Sequence, residues 1–144
     1  MKRHPKLQKL SEEHQNALVA AMALKGERTL PQELGWPSEP DKKRDRFLRF
    51  AEDHLFPHFK EEESEIFPLA EVYSTEGWHL CERLSMEHQI IKQQIRLLRL
   101  AKGADLAKLL VELGNNLEEH VHREERELFE LLQKVIPEYE MREN

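Results

Sequence analysis

Apolar residues recur every three or four positions along four long stretches of the chain, which is the spacing of one face of an α-helix. The stretches run over residues 11–25, 41–72, 78–102 and 105–136. A segment rich in proline and glycine separates the first two, whereas the later connections are short. Because short connections join antiparallel neighbours, the pattern predicts an all-α fold. The predicted architecture is an antiparallel up-down-up-down four-helix bundle that forms one domain over residues 1–144.

Local signals set the expected ends of these helices. Ser11 is expected to cap the first helix, and Gly26 to end it. Gly103 is expected to stop the third helix and Asp105 to cap the fourth, which Pro137 should close.

Two further signals concern the middle of the chain. Pro57 lacks a backbone N–H and clashes with the carbonyl group of Asp53, which predicts a kink just before His58. The sequence Ser74-Thr-Glu-Gly77 predicts the turn between the second and third helices.

Several polar residues occupy helix positions that the pattern predicts to be buried. One buried histidine can be a neutral, hydrogen-bonded core residue. Glutamates, however, are rarely buried unless they are paired or bound to a metal, because removing a charge from water is costly. Polar residues on the inner faces of all four helices therefore predict a metal site formed by His14, His58, Glu62, His88, His120 and Glu124.

The spacing of these residues indicates how many ions they hold. In two segments a histidine precedes a glutamate by four residues, so both side chains leave one face of a helix and can bind the same ion. Nitrogen and oxygen ligands without thiolate suit iron, manganese or zinc. Four histidines and two carboxylates suit two ions, with two imidazoles for each ion and the glutamates as bridges.

Composition narrows the class of protein. Charged residues make up 35% of the chain and there are five glycines, which is typical of a helical protein. The net charge of −6 argues against nucleic acid or an anionic membrane as a partner. The single cysteine, Cys81, excludes an internal disulfide and thiolate metal sites, and we expect it to be a buried packing residue. No apolar signal core or membrane span is found, so we expect a soluble, cytoplasmic protein.

The order of the six residues resembles the hemerythrin-like (HHE cation-binding) proteins. The surrounding sequence agrees, and the resemblance extends from about Leu7 to Val135. The matching segments are Leu10-Ser-Glu-Glu-His14, Leu55-Phe-Pro-His-Phe-Lys-Glu-Glu-Glu63, Ile66-Phe-Pro68 and Glu119-His-Val-His-Arg-Glu-Glu-Arg-Glu-Leu-Phe129. The resemblance implies a four-helix bundle that holds a non-haem di-iron centre, with two iron ions joined by an oxo or hydroxo bridge.

The chain departs from the oxygen-carrying hemerythrins at two positions. Those proteins have a second histidine on the third helix, whereas here Leu84 and Lys92 stand four residues on either side of His88. Their last carboxylate falls at the position of Glu125, but Glu124 fits the buried helix face better here. The six-residue set is more similar to bacterial proteins that repair iron centres under nitrosative stress, and to the eukaryotic F-box iron sensor. The repair proteins carry an additional N-terminal segment with a cysteine before the first ligand helix. In this sequence we expect the first ligand helix to begin almost at once, without such a segment before it.

Two classes of function remain open. The first is a protein that binds or senses oxygen, nitric oxide or iron without turnover. The second is a di-iron oxidoreductase that acts in nitric oxide or peroxide detoxification or in iron-centre repair, with an electron-donor protein as partner. A third hypothesis is a zinc-bound or metal-free helical bundle that serves as an interaction module. The ligand of the first two is a diatomic gas or peroxide.

The remaining histidines have other expected roles. His54 lies one turn before His58 and is expected either to face solvent or to support or replace a metal ligand. Surface positions are expected for His4, His79 and His122.

Overall fold

The computed structural model describes residues 4–26 and 35–143, but not the side chains of residues 137–143. The described residues form four helices. In order, α1 spans Pro5–Lys25, α2 residues 40–71, α3 Thr75–Leu100 and α4 residues 103–143. Within the described residues there are no strands. Short connections join α2 to α3 and α3 to α4, so the predicted all-α antiparallel bundle is confirmed. Part of the loop between α1 and α2, residues 27–34, lies outside the described residues.

Three turns of π-helix interrupt the two longest helices. They span Ala51–Leu55 and Glu62–Ile66 in α2 and Glu124–Leu128 in α4. In each turn the backbone N–H of the next residue, a phenylalanine, bonds to the carbonyl group five residues back. Pro57 and Pro68 each stand two residues after a π turn. The wider turn accommodates a proline, which has no N–H to donate, so a π turn stands where the sequence predicted a kink.

The beginnings of α1 and α4 differ from the prediction. Helix α1 begins at Pro5 instead of Ser11, and the ring of His4 accepts a hydrogen bond from the Lys6 N–H at 3.2 Å. A proline at the first position of a helix has the required φ angle and no N–H left unbonded. Helix α4 begins at Gly103, after Lys102, and Asp105 lies inside its first turn without capping it.

Three other predicted boundaries are wrong or are shifted. Helix α3 ends at Leu100, before Gly103. Helix α4 continues past Pro137, because one missing backbone bond does not end a helix whose other bonds remain. Gly77 does not form a turn: Ser74 caps α3, accepting a hydrogen bond from the Gly77 N–H at 2.9 Å. At Gly26 the backbone turns left-handed and ends α1 as predicted.

The apolar core consists of two clusters, one towards each end of the bundle. The first contains Leu24, Phe47, Leu98 and Leu110, and the second contains Leu7, Phe67, Leu84 and Leu132. On every helix the polar residues identified from the sequence lie at or beside the boundary between the segments that supply the two clusters. The bundle therefore encloses a polar layer between two apolar layers. No helix in the described part of the chain combines the length and apolarity that a membrane span requires.

Candidate metal centre

The polar layer brings together all six side chains that the sequence singled out. Each of them is at most 5% exposed, and both glutamates are completely buried. The Nε2 atom of every histidine points at a glutamate oxygen. His58 Nε2 lies 3.3 Å from Glu62, and His120 Nε2 lies 2.9 Å from Glu124, in each case within one helix. The other two histidines connect neighbouring helices to these carboxylates: His14 Nε2 lies 3.2 Å from Glu124, and His88 Nε2 lies 3.2 Å from Glu62.

The donor atoms divide into two groups of four. One group contains His14 and His58 and the other His88 and His120, and both groups include Glu62 and Glu124. Within each group the donor atoms lie within 4.8 Å of one another. Two imidazoles and two shared carboxylates for each group form a donor set that could hold two adjacent metal cations.

A second ring of carboxylates surrounds the histidines. The Nδ1–H groups of three histidines donate to Glu13, Glu63 and Glu87, over distances of 2.8 Å from His58, 2.6 Å from His88 and 2.8 Å from His120. An ionised carboxylate can only accept, so the proton is assigned to Nδ1 and the Nε2 lone pair faces the centre. This arrangement orients an imidazole for binding a metal and raises its basicity.

The fourth histidine has a looser partner. His14 Nδ1 lies 3.5 Å from Glu125 Oε1, which is too far for a good hydrogen bond. The second oxygen of Glu125 accepts a hydrogen bond from the Ser11 hydroxyl at 3.1 Å. Ser11, which the sequence suggested as a helix cap, therefore holds a carboxylate beside the site. We call the four glutamates next to the histidine Nδ1 atoms the outer carboxylates: Glu13, Glu63, Glu87 and Glu125.

The two halves of the site are related by an approximate two-fold axis. The ring centroids of His14 and His58 are 4.7 Å apart, and those of His88 and His120 are also 4.7 Å apart. In each half, one histidine stacks on a phenylalanine that follows a π turn. Phe129 lies 5.1 Å from His14, and Phe67 lies 5.5 Å from His88. The sequence repeats accordingly, because His58-x-x-x-Glu-Glu-x-Glu-Ile-Phe67 matches His120-x-x-x-Glu-Glu-x-Glu-Leu-Phe129.

Polar atoms at the centre lack hydrogen bonds within the described residues. These atoms are both oxygens of Glu62, both oxygens of Glu124 and the Nε2 atoms of the four histidines. Several of these atoms lie within ion-pair distance of one another, but none of these contacts has the geometry of a hydrogen bond. Leaving so many buried polar atoms without partners is costly, and metal coordination would satisfy them together. The site therefore fits metal cations.

Electrostatic shifts show how strongly the centre favours positive charge. Burial alone lowers the pKa of His14, but contacts with glutamates, above all Glu124, outweigh burial and raise the pKa to about 11. The same balance raises the pKa of His120 to about 10. Burial acts to raise the pKa of Glu62, yet contacts with Glu124 and with the adjacent histidines hold the pKa well below its usual value. The buried carboxylates thus favour positive charge at the centre of the site.

A small cavity of about 30 Å³ adjoins one half of the site. His14, His58 and Glu124 line its inner end, and Phe50 and the exposed His54 line its outer part. The other half has a surface pocket of about 210 Å³ lined by Glu87, Ile91 and His120 among others, but neither Glu62 nor Glu124 lines it. Larger side chains stand at the two-fold equivalent positions. Ile91 corresponds to Ala17 and Phe59 to Val121, and Phe59 stacks on His88 at 3.8 Å.

The remaining candidates lie outside the six-residue cluster. His54 is exposed, contacts the Phe50 ring and belongs to neither group of donors. His79 is exposed and contacts Trp78, and His122 is 3.8 Å from Glu118 at the surface. Cys81 is completely buried in the second apolar cluster, where burial raises the pKa of its thiol to about 12.

The outer carboxylates were not predicted, although the sequence holds a signal for them. Each is the chain neighbour of a central residue, in the pairs Glu13-His14, Glu62-Glu63, Glu87-His88 and Glu124-Glu125. Adjacent residues on a helix point about 100° apart, so such a residue contacts the next helix in the bundle. From the sequence alone, a run of charged residues at these positions indicates a solvent-exposed face, because the contact with the neighbouring helix is not visible.

The fold and this polar layer define a helical bundle with a buried histidine and glutamate site for metal cations. The chain belongs to the hemerythrin family: a family model described as the hemerythrin HHE cation binding domain matches residues 5–132. Comparison with curated proteins and with solved structures gave no match.

Proposed function

We propose that the protein binds two iron ions at a carboxylate-bridged dinuclear centre and uses them to bind or sense oxygen, nitric oxide or iron itself. The observation that carries the proposal is the pair of four-atom donor groups that share both glutamates. Bound ferrous ions would supply one electron each to a small ligand. The absence of thiolate donors and the predominance of imidazole and carboxylate suit iron.

Each side chain has a distinct part in this proposal. His14 and His58 hold one ion, His88 and His120 hold the other, and Glu62 and Glu124 bridge the two. The carboxylate charges offset the repulsion between the two cations. Three of the outer carboxylates, Glu13, Glu63 and Glu87, accept the Nδ1–H of a histidine and so keep the Nε2 atom of that ring aimed at the centre. The two apolar clusters above and below the site exclude water and limit the space around the ions.

The cavity beside His14 and His58 supports a small ligand. A volume of about 30 Å³ exceeds that of a single water-sized probe and admits a molecule of two or three atoms. Its lining is largely apolar, with Ala17, Leu55 and Val121 among its residues. A neutral diatomic gas suits such a lining better than a charged or bulky substrate does.

An oxidoreductase is the alternative function, and one observation favours it. A surface pocket of about 490 Å³ shares Asn16, Phe50 and His54 with the small cavity. Arg46 and Arg49 add positive charge to this pocket. A reductant or an acidic partner protein could therefore approach the site from the same side as the small ligand.

Optical spectroscopy of protein loaded anaerobically with ferrous iron tests the proposal. New bands should appear on admission of oxygen at two irons per chain, and removal of oxygen under vacuum should reverse them. Sustained oxygen, nitric oxide or peroxide consumption with an electron donor would favour the oxidoreductase instead. Failure to take up iron, with no new bands, would overturn the di-iron proposal and favour a zinc-bound or metal-free bundle.

A further inference from the structure

An apolar stripe runs along the outer surface of α3. Met86, Ile90, Leu97 and Leu100 are between 49% and 80% exposed, although each is apolar. With the exposed Gln93 they are spaced by four, three, four and three residues, which is the spacing of a coiled-coil seam. The inward face of α3 carries a separate set of residues, including Leu84, His88 and Ile95. We call the outer stripe the α3 seam.

Its length and regularity distinguish the α3 seam from scattered surface leucines. Single exposed apolar residues are common on proteins, but a continuous exposed stripe marks an interaction surface. Helix α3 has 26 residues and is about 39 Å long, which is enough for a helix-to-helix interface. An a/d spacing suits another helix, since its side chains fit into the holes between successive seam residues.

Charge along α3 is divided between its two ends. Residues 75–87 contain three glutamates, Glu76, Glu82 and Glu87, and one arginine. Residues 88–100 contain three basic residues, Lys92, Arg96 and Arg99, and no acidic residue. A second α3 helix running in the opposite direction would place its basic half against the acidic half of the first. The helix dipoles would also be antiparallel.

The acidic end also offers a recess for apolar side chains. A surface pocket of about 470 Å³ there is lined by Trp78 and Met86 and bordered by Glu63, Glu71 and Glu82. At the other end of the same helix, Leu97 and Leu100 project beside Arg96. A two-fold axis level with His88, between Met86 and Ile90, brings these leucines and the arginine of one copy to the Trp78 end of the pocket of the other.

We propose that the α3 seam binds the α3 seam of a second copy of this chain, with the two helices antiparallel. The contact is isologous, so it closes as a dimer and leaves no free seam for further growth. Glu82 of each copy then lies near Arg96 of its partner. Within the described residues Glu82 has no ion-pair partner of its own, and Arg96 bonds only to Gln93, at 3.1 Å. Dimerisation is independent of metal binding.

Sedimentation of the full chain at about 10–100 µM tests the dimer. The parent protein should sediment as a dimer, and Ile90→Asp as a monomer with the helix content of the parent by circular dichroism. Val111→Asp, which changes an exposed valine on α4, is the matched control and should remain a dimer. A monomeric parent, or a dimeric Ile90→Asp variant, would overturn the proposal. If Ile90→Asp loses helix content, the milder Leu97→Gln change gives the same test.

A charge exchange tests the antiparallel direction. Arg96→Glu should weaken dimerisation by about tenfold or more, because it places like charges opposite each other. The double variant Glu82→Arg with Arg96→Glu should restore the affinity of the parent. In a parallel pair each residue would face the same residue of the partner, so the exchange would not restore the affinity. Failure of the double variant to recover would therefore refute the antiparallel arrangement.

Discussion

Two adjacent glutamates, Glu124 and Glu125, differ completely in what they contact. Glu124 is buried at the centre and belongs to both donor groups, whereas Glu125 is partly exposed beside His14 and Ser11. The sequence identified Glu124 because it continues the inner stripe of α4. It did not reveal the role of Glu125, because that role depends on the position of α1.

The pair provides a matched test of the proposed ligands. Glu124→Ala should reduce the iron content below two per chain and lower the thermal midpoint in the presence of iron, because a bridging carboxylate is lost. Glu125→Ala should keep both ions, since Glu125 lies 3.5 Å from His14 Nδ1 and makes no good hydrogen bond to it. Metal analysis after desalting, together with thermal melts, measures both effects. Equal iron content in the two variants would show that Glu124 has no special role.

The outer carboxylates predict a second effect on affinity. Replacing Glu63 by alanine removes the acceptor of the His88 Nδ1–H group and leaves the ring free to turn. Changes of this kind typically weaken metal binding by about 10- to 100-fold. Competition with a chromogenic chelator measures the affinity. Glu65→Ala, an exposed glutamate on the same helix, is the control and should bind metal as the parent does.

At the scale of the helices, the periodic pattern predicted the existence and order of all four elements but not their ends. Ser11 and Asp105 have side chains typical of caps, yet neither caps a helix: Ser11 lies in the second turn of α1, where its hydroxyl bonds to Glu125, and Asp105 lies inside the first turn of α4. Pro5 and Pro40 stand at the first helical positions of α1 and α2 and were the better signals. The π turns have no comparable local signature. The repeated Glu-Glu-x-Glu-[Ile/Leu]-Phe sequence covers two of them, but nothing in that sequence alone predicts a π turn.

A close approach between α1 and α4 makes Gly114 sensitive to substitution. A Cβ atom at this position would lie 2.8 Å from the Ala21 carbonyl oxygen and 2.7 Å from Lys25 Cγ. The lysine side chain can move, but the backbone oxygen cannot move without shifting α1. Gly114→Ala should therefore destabilise the protein by about 1–3 kcal/mol, despite the better helix propensity of alanine.

Denaturant unfolding of the metal-free protein measures this change. Ala107→Gly, at an exposed position of the same helix, is a useful comparison because it changes helix propensity without a steric contact. It should destabilise by about 1 kcal/mol or less. A Gly114→Ala variant more stable than the parent would show that α1 and α4 are not packed this closely.

The whole bundle is nearly symmetric about the metal site, but the two halves differ in their cavities: Glu124 lines the cavity beside His14 and His58, whereas no central glutamate lines the surface pocket beside His120. Ala17 and Val121 line this cavity, whereas the larger Ile91, the equivalent of Ala17, lines the surface pocket of the other half. The sequence alone did not show that these residues lie beside the metal site. Residues from several helices decide which half can admit a ligand, so this property can be predicted only when the fold is known.

This asymmetry predicts that ligand binding can be separated from metal binding. Ala17→Ile should fill the cavity and slow or abolish the spectral response to oxygen while two irons remain bound. Ala23→Val, a similar enlargement at a buried position of α1 that does not line the cavity, is the control. Stopped-flow spectroscopy of the iron-loaded variants gives the rates. An unchanged rate in Ala17→Ile would show that small ligands use another route.

The most direct test of the account is anomalous diffraction at the iron edge from crystals of the iron-loaded protein. We predict two peaks in the polar layer, one between His14 and His58 and one between His88 and His120, with Glu62 and Glu124 reaching both. A single peak, or peaks outside this layer, would contradict the dinuclear centre from which the proposed function follows.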